Sequence, residues 1–224
     1  MRKFRFVITG GPCGGKSDGI KVLKKVFAYK GFKVITIAET ATELITSGIT
    51  PWELSNEQFQ SILIDRVINK ETTAWLAATC LQQEQVIILF DRGLLDNKAY
   101  MPYEMFVKIL ATHGLTEADV MKTYDAVFHM LTAADGALEA YSNANNEARR
   151  ETPEEAREKD KNTQAAWACY PNVKLIDNST GFSKKIDRLL LAIFDSMGIE
   201  PFEEKERLFL IEKYLKELSE KRNQ

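Results

Sequence analysis

Gly10-Gly11-Pro12-Cys13-Gly14-Gly15-Lys16-Ser17 sets a lysine and a serine directly behind two pairs of glycines. A glycine, four residues, then Gly-Lys-Ser is the spacing of a phosphate-binding loop. Glycines let successive backbone N–H groups turn inward and approach an oxyanion with no Cβ in the way. A helix opening at the end of such a loop adds its first N–H groups and the positive end of its dipole. Lys16 supplies a point charge for the outer phosphates, and the Ser17 hydroxyl is an oxygen donor for Mg2+. The candidate nucleotide-binding set is Gly11, Cys13, Gly14, Gly15, Lys16, Ser17 and Asp18. The chemistry is that of gripping ATP, with GTP as the alternative, by its phosphates.

A second candidate position follows the apolar run QVIILF, which ends at Asp91. A carboxylate at the end of a buried strand can hold Mg2+ directly or through water. It can equally cap a following helix. Arg92, next to it, has three open partners: a substrate anion, Asp91 or Asp96. Glu39 follows the run KVITIA and reads either as a general base or hydroxyl ligand, or as an acid at the start of a helix. Arg149, Arg150 and Arg157 lie in the charged stretch 143–162. Guanidinium forks there could close over phosphates as transferred charge spreads onto the oxygens. The candidate catalytic residues are therefore Lys16, Glu39, Asp91, Arg92, Arg149, Arg150 and Arg157, with Ser17 and Asp91 as metal ligands.

Other chemistry-bearing residues read as structural. His129 lies inside an apolar run, where a satisfied core histidine is expected. Cys13 reads as a small loop residue, although a helix terminus could favour its thiolate. Tyr100, Tyr103 and Phe106 follow the Asp91 segment and could stack on a base, but core packing is the expectation. Asn97-Lys98 begins an N-K-x-D guanine-reading pattern, but Tyr100 stands where the aspartate belongs.

These residues need a scaffold. Five short apolar runs recur: 4–8, 33–38, 85–90, 126–131 and 173–176. They are rich in β-branched residues and mostly unbroken by polar positions, as strands buried on both faces are. Helical stretches are expected at 16–30, 55–80, 181–197 and 203–221. Ser55 and Gln58 have capping-box spacing, and Thr152-Pro153-Glu154-Glu155 reads as an N-cap with proline at the first helical position. The alternation predicts a doubly wound α/β fold. In such a sheet ligands gather beyond the carboxyl ends of the strands. Polar or glycine clusters stand at all five ends: Gly10-Gly11, Glu39-Thr40, Asp91-Arg92-Gly93, Thr132 to Asp135, and Asp177 to Ser179.

The chain has 224 residues, 45% hydrophobic and 28% charged, enough for one sizeable core and one domain over 1–224. A net charge of −2 gives no electrostatic hint of nucleic acid. Three scattered cysteines fit a reducing cytoplasm. No segment approaches the ~18 apolar residues of a membrane span.

The loop GGPCGGKS, the segment FDRGLLDNKAYM (90–101) and the stretch 129–160 followed by VKLIDNS resemble the AAA-domain ATPase family. That family is similar to the nicotinamide riboside kinase domain of NadR and to TRPL-translocation-defect proteins. The likeness spans most of residues 4–195. It implies a kinase-like P-loop NTPase: a three-layer α/β/α fold, five parallel strands in the order 2-3-1-4-5, and a helical lid bearing Arg149, Arg150 and Arg157. It implies that Lys16 and Ser17 hold phosphate and Mg2+ and that Asp91 and Arg92 are the strand-three pair. Residue 18 is Asp where the family usually has Thr, and a second acid there could weaken nucleotide binding or hold a water on Mg2+.

The expected function is transfer of the γ-phosphoryl group of MgATP to a small hydroxylated, nucleoside-like acceptor. The competing expectation is an ATP- or GTP-binding regulatory module with slow hydrolysis and no acceptor. Motor ATPase activity is disfavoured for want of a second-domain sensor arrangement. The apolar stripe of 203–221 is expected to pack either on its own sheet or on a second copy as a homodimer contact.

Overall fold

The β-branched runs pair into one sheet in the computed structural model, which describes residues 2–140 and 152–222. The strands are β1 (Arg2–Thr9), β2 (Lys33–Ile37), β3 (Gln85–Asp91), β4 (Ala126–Met130) and β5 (Val173–Ile176). All pairings are parallel, in the order β2-β3-β1-β4-β5. The three central strands match the expectation of burial on both faces. β2 and β5 are edge strands and only half-buried, with Leu175 of β5 exposed. Register brings the functional ends together: Ile8 of β1 sits opposite Asp91, and Thr9 opposite His129.

Side chains alternate across the sheet, so the central strands feed two cores. Phe6, Ile8, Leu89 and Phe128 join Leu23 and Phe27 of α1 (Lys16–Tyr29) on one face. The opposite face takes Val7, Ile88, Phe90 and Val127, covered by α3 (Asn56–Cys80) and α4 (Tyr103–Thr112). Between β2 and α3 lies α2 (Thr40–Thr46), and between α4 and β4 lies α5 (Glu117–Met121). A 3-10 segment, Leu94–Tyr100, follows β3.

Both capping boxes are present. Ser55 accepts from Gln58 N at the start of α3, and Thr152 accepts from Glu155 N at the start of α6 (Pro153–Ala166). The last two helices, α7 (Phe182–Met197) and α8 (Glu204–Arg222), complete the first layer. Leu210 and Ile211 of α8 are buried in the same core as Ile186 and Phe194 of α7. Arg207 Nε donates to Asp187 Oδ1 at 2.8 Å, a buried ion pair between the two helices. The apolar stripe of α8 is therefore taken up within the chain. Among the described residues no helix is long and apolar enough to cross a membrane.

Candidate functional site

The loop between β1 and α1 turns in a way that needs its glycines. Gly10 has φ +131°, and a Cβ there would stand 2.1 Å from the Met130 carbonyl oxygen. Gly15, the residue before Lys16, has φ +84°, and its Cβ would meet the Phe182 ring at 2.3 Å. Five successive loop carbonyls are tied down. Lys16 Nζ donates to Gly10 O at 2.9 Å and Gly11 O at 2.7 Å. Thr132 Oγ1 donates to Pro12 O, Ala133 N to Cys13 O at 3.2 Å, and Lys185 Nζ to Gly14 O at 3.0 Å. Carbonyls held in this way suit an anion nest, in which successive amides face the ligand; the Gly11 amide itself donates to Asp160. Cys13 keeps a positive φ of 55° within it.

Beside this loop, Ser17 Oγ donates to Asp91 Oδ2 at 3.0 Å. The other oxygen, Asp91 Oδ1, is buried with no hydrogen-bond partner. Burial and the charge of Glu39 raise the Asp91 pKa, with Lys16 and Arg92 opposing. A serine hydroxyl beside an unsatisfied carboxylate oxygen is a hard-oxygen donor set that fits Mg2+ shared with phosphate oxygens.

Arg92 pairs neither with Asp91 nor with open solvent. Its Nε donates to Glu39 Oε1 at 2.5 Å and its Nη1 to Asp96 Oδ1 at 3.4 Å. Asp96 also accepts from Thr9 Oγ1 and from Gly93 N. Burial works to raise the Glu39 pKa, but the charges of Arg92 and Lys16 outweigh it and hold the carboxyl at about 2. Glu39 is the acid at the start of a helix: it directly precedes α2 and accepts from Thr42 Oγ1 at 2.9 Å, while its other oxygen faces Arg92.

Two cavities flank the loop. The larger, about 730 Å³, is lined by residues 13–18, by Ala133 to Glu139 after β4, by Asn178 to Phe182 after β5, and by Lys185 and Arg222. The smaller, about 400 Å³, reaches the loop at Pro12 and the end of β3 at Asp91 and is walled by α2 and α3, with Glu39, Arg92 and Tyr100 in its lining. The strand ends thus divide between them: β4 and β5 serve the larger cavity, β2 and β3 the smaller.

Several expectations change. Phe106 is core, as expected, but Tyr100 lines the smaller cavity, and the half-exposed Tyr103 donates its hydroxyl to Glu117 at 3.0 Å. Each ring's place follows from its turn, because only Phe106 falls on the inner face of α4. Asp18 borders the larger cavity but is paired with Lys21 at 3.8 Å and with Arg222. Arg157 donates to Ala134 O at 2.7 Å and to Glu154 Oε1 at 2.6 Å, so the guanidinium is engaged on the loop after β4. Arg149 and Arg150 lie outside the described residues. Asn97 lines the smaller cavity and donates to Leu94 O at 2.8 Å.

Two residues were missed. Asp160 of α6 accepts from Gly11 N and from His129 Nε2, the latter at 3.1 Å, and these bonds together with the His129 charge lower its pKa against the effect of burial. His129 is fully buried, as expected, and its Nδ1 has no partner. The signal for Asp160 was present: Ala156, Asp160, Thr163 and Trp167 fall at helical spacing on one buried face. Lys185 of α7 donates to Gly14 O, to Leu131 O at 2.7 Å and to Asn178 Oδ1 at 2.7 Å. Burial pulls its pKa down to about 8, with Asp160 opposing. It belongs to no motif, and nothing in its local sequence separates it from Lys184.

Comparison with curated proteins gives no match. The family described as an AAA domain matches residues 5–185, from the first strand into the seventh helix, and so takes in both cavities' strand ends and leaves out α8. With its loop, its Ser17–Asp91 pair and its 2-3-1-4-5 sheet, the chain belongs to the AAA-domain family of P-loop nucleotide-binding NTPases.

Proposed function

We propose that the protein transfers the γ-phosphoryl group of MgATP to a hydroxyl of a small, nucleoside-like acceptor. The observation that carries this reading is the pair of cavities meeting at the phosphate loop. The larger, at about 730 Å³, suits a nucleotide whose phosphates reach residues 13–18. The smaller, at about 400 Å³, is of small-molecule size and touches the same loop at Pro12 and the end of β3 at Asp91. Hydrolysis alone has no use for a second lined cavity there.

Phosphoryl transfer passes through a loose transition state, so positioning and charge neutralisation do most of the work. Lys16, whose ammonium holds the Gly10 and Gly11 carbonyls, would exchange them for outer phosphate oxygens. Ser17 and Asp91 are the residues that would hold Mg2+, which when bound neutralises charge on the phosphate oxygens. Glu39, ionised and fixed by Arg92, accepts a hydrogen bond from the acceptor hydroxyl and aims it. A carboxylate with so low a pKa is a weak base, so its contribution is orientation.

The test is ADP formation from MgATP across a panel of nucleosides, sugars and simple alcohols. One acceptor is expected to raise the rate at least tenfold, with phosphate found on its hydroxyl by mass spectrometry. Lys16→Ala is expected to lower that rate by about 10²–10³, the loss of one charge partner, while the folded state persists by circular dichroism. Slow ATP hydrolysis unchanged by any acceptor would overturn transfer in favour of a nucleotide-dependent binding module.

A further inference from the structure

Gln60, a residue of the smaller cavity's lining, carries a buried polar atom with no partner and no part in the chemistry above. Gln60 is 5% exposed, and its Oε1 makes no hydrogen bond. It lies on the cavity face of α3 with Asn56, Leu63 and Val67, at spacings of four, three and four. A buried amide oxygen left without a donor is costly, and native proteins rarely keep one unless something else completes it. An occupant carrying an N–H would complete this one.

The rest of the lining says what kind of occupant. Phe59, Tyr100 and Trp52 supply aromatic surface, and Trp52, 72% exposed, stands at the rim. Aromatic walls favour a flat ring. The charged residues of the lining are Glu39, Asp91 and Asp96 against Arg92 and Lys159. Arg92 is already engaged by two of those carboxylates. Among the described residues the lining therefore holds no surplus of positive charge to receive a phosphate or carboxylate on the acceptor.

We propose that the smaller cavity takes a non-anionic nucleoside, and that Gln60 recognises its ring. Gln60 Oε1 accepts from a ring N–H or amino group. A primary amide offers donor and acceptor side by side, which matches a ring edge bearing both. Calling this occupant the phosphoryl acceptor rests on the function proposed above; the recognition itself does not.

Isothermal titration in saturating MgADP tests it, using uridine, cytidine, inosine, guanosine and adenosine, their 5′-monophosphates, and ribose. At least one nucleoside is expected to bind, with its monophosphate and ribose at least tenfold weaker. Gln60→Leu is expected to weaken that nucleoside at least tenfold with MgADP affinity unchanged. Gln60→Glu, which keeps the volume and the acceptor oxygens, is expected to weaken it less. Failure of every nucleoside to bind, preference for the monophosphates, or undiminished binding by Gln60→Leu overturns the proposal. A nucleoside bound through Gln60 but never phosphorylated sinks phosphoryl transfer and leaves the recognition standing. Transfer to a ringless alcohol with no nucleoside bound does the reverse.

Discussion

Arg92 holds its guanidinium between Glu39 and Asp96 on a backbone at φ +70°, a conformation that a non-glycine residue keeps only when its surroundings enforce it. The enforcing contacts are visible: Arg92 N donates to Ile8 O, and Asp96 ties Thr9 and Gly93 to the same spot. The pair therefore presents Glu39 as a fixed, ionised acceptor. Glu39→Gln is expected to cut acceptor phosphorylation by about 10²–10³, with MgADP affinity unchanged, measured by steady-state rates and titration. The same change has a pH signature. A carboxyl lowered from 4.5 to about 2 on folding stabilises the native state above pH 4.5, and that stability is lost as pH falls toward 2. It amounts to about 3 kcal/mol at most. Acid unfolding followed by fluorescence should show the wild type losing stability across that window more steeply than Glu39→Gln. The motif positions Lys16, Ser17 and Asp91 were legible from residue type and spacing. Of the two partners of Arg92, Asp96 was among the three named candidates, four residues away, whereas Glu39 was not, because it lies 53 residues away and nothing local points to it.

At the scale of elements, the phosphate loop is held by what surrounds it more than by its own glycines. β4's following loop, α6 and α7 each fasten one part, through Thr132 and Ala133, Asp160, and Lys185. Asp160→Ala would strand the Gly11 N–H and the buried His129 together, at a cost of about 2–4 kcal/mol. The expected outcome is a melting temperature lower by roughly 5–10 °C and weaker MgATP binding, read by calorimetry; Asp160→Asn, which keeps an acceptor, should lose less. The capping boxes that open α3 and α6 were readable, as was the apolar spacing of α3, because each signal lies within a few residues. The 3-10 segment Leu94–Tyr100 was not, because it depends on Asp96 accepting from Gly93 and on Tyr124 Oη accepting from Leu94 N, 30 residues away.

At the scale of the molecule, α8 closes the layer over α1 and α7 and returns its end to the mouth of the larger cavity, where Arg222 pairs with Asp18. Ile211 is fully buried there. Ile211→Ala is expected to cost about 2–4 kcal/mol, seen as a fall in melting temperature of roughly 5–10 °C; an unchanged value would mean the helix is not docked in solution. The strand runs, their parallel pairing, the loop chemistry and the acid ending β3 are all written in local pattern, since period, β-branching and motif spacing each act over a few residues. Other features wait on the folded chain: which carboxylate holds Arg92, that Tyr100 faces a cavity while Phe106 faces the core, that α8 spends its stripe within the chain, and that Gln60 is left buried without a donor. These turn on contacts between segments tens to hundreds of residues apart, and burial and pairing across such distances exist only once the sheet has brought its strand ends together.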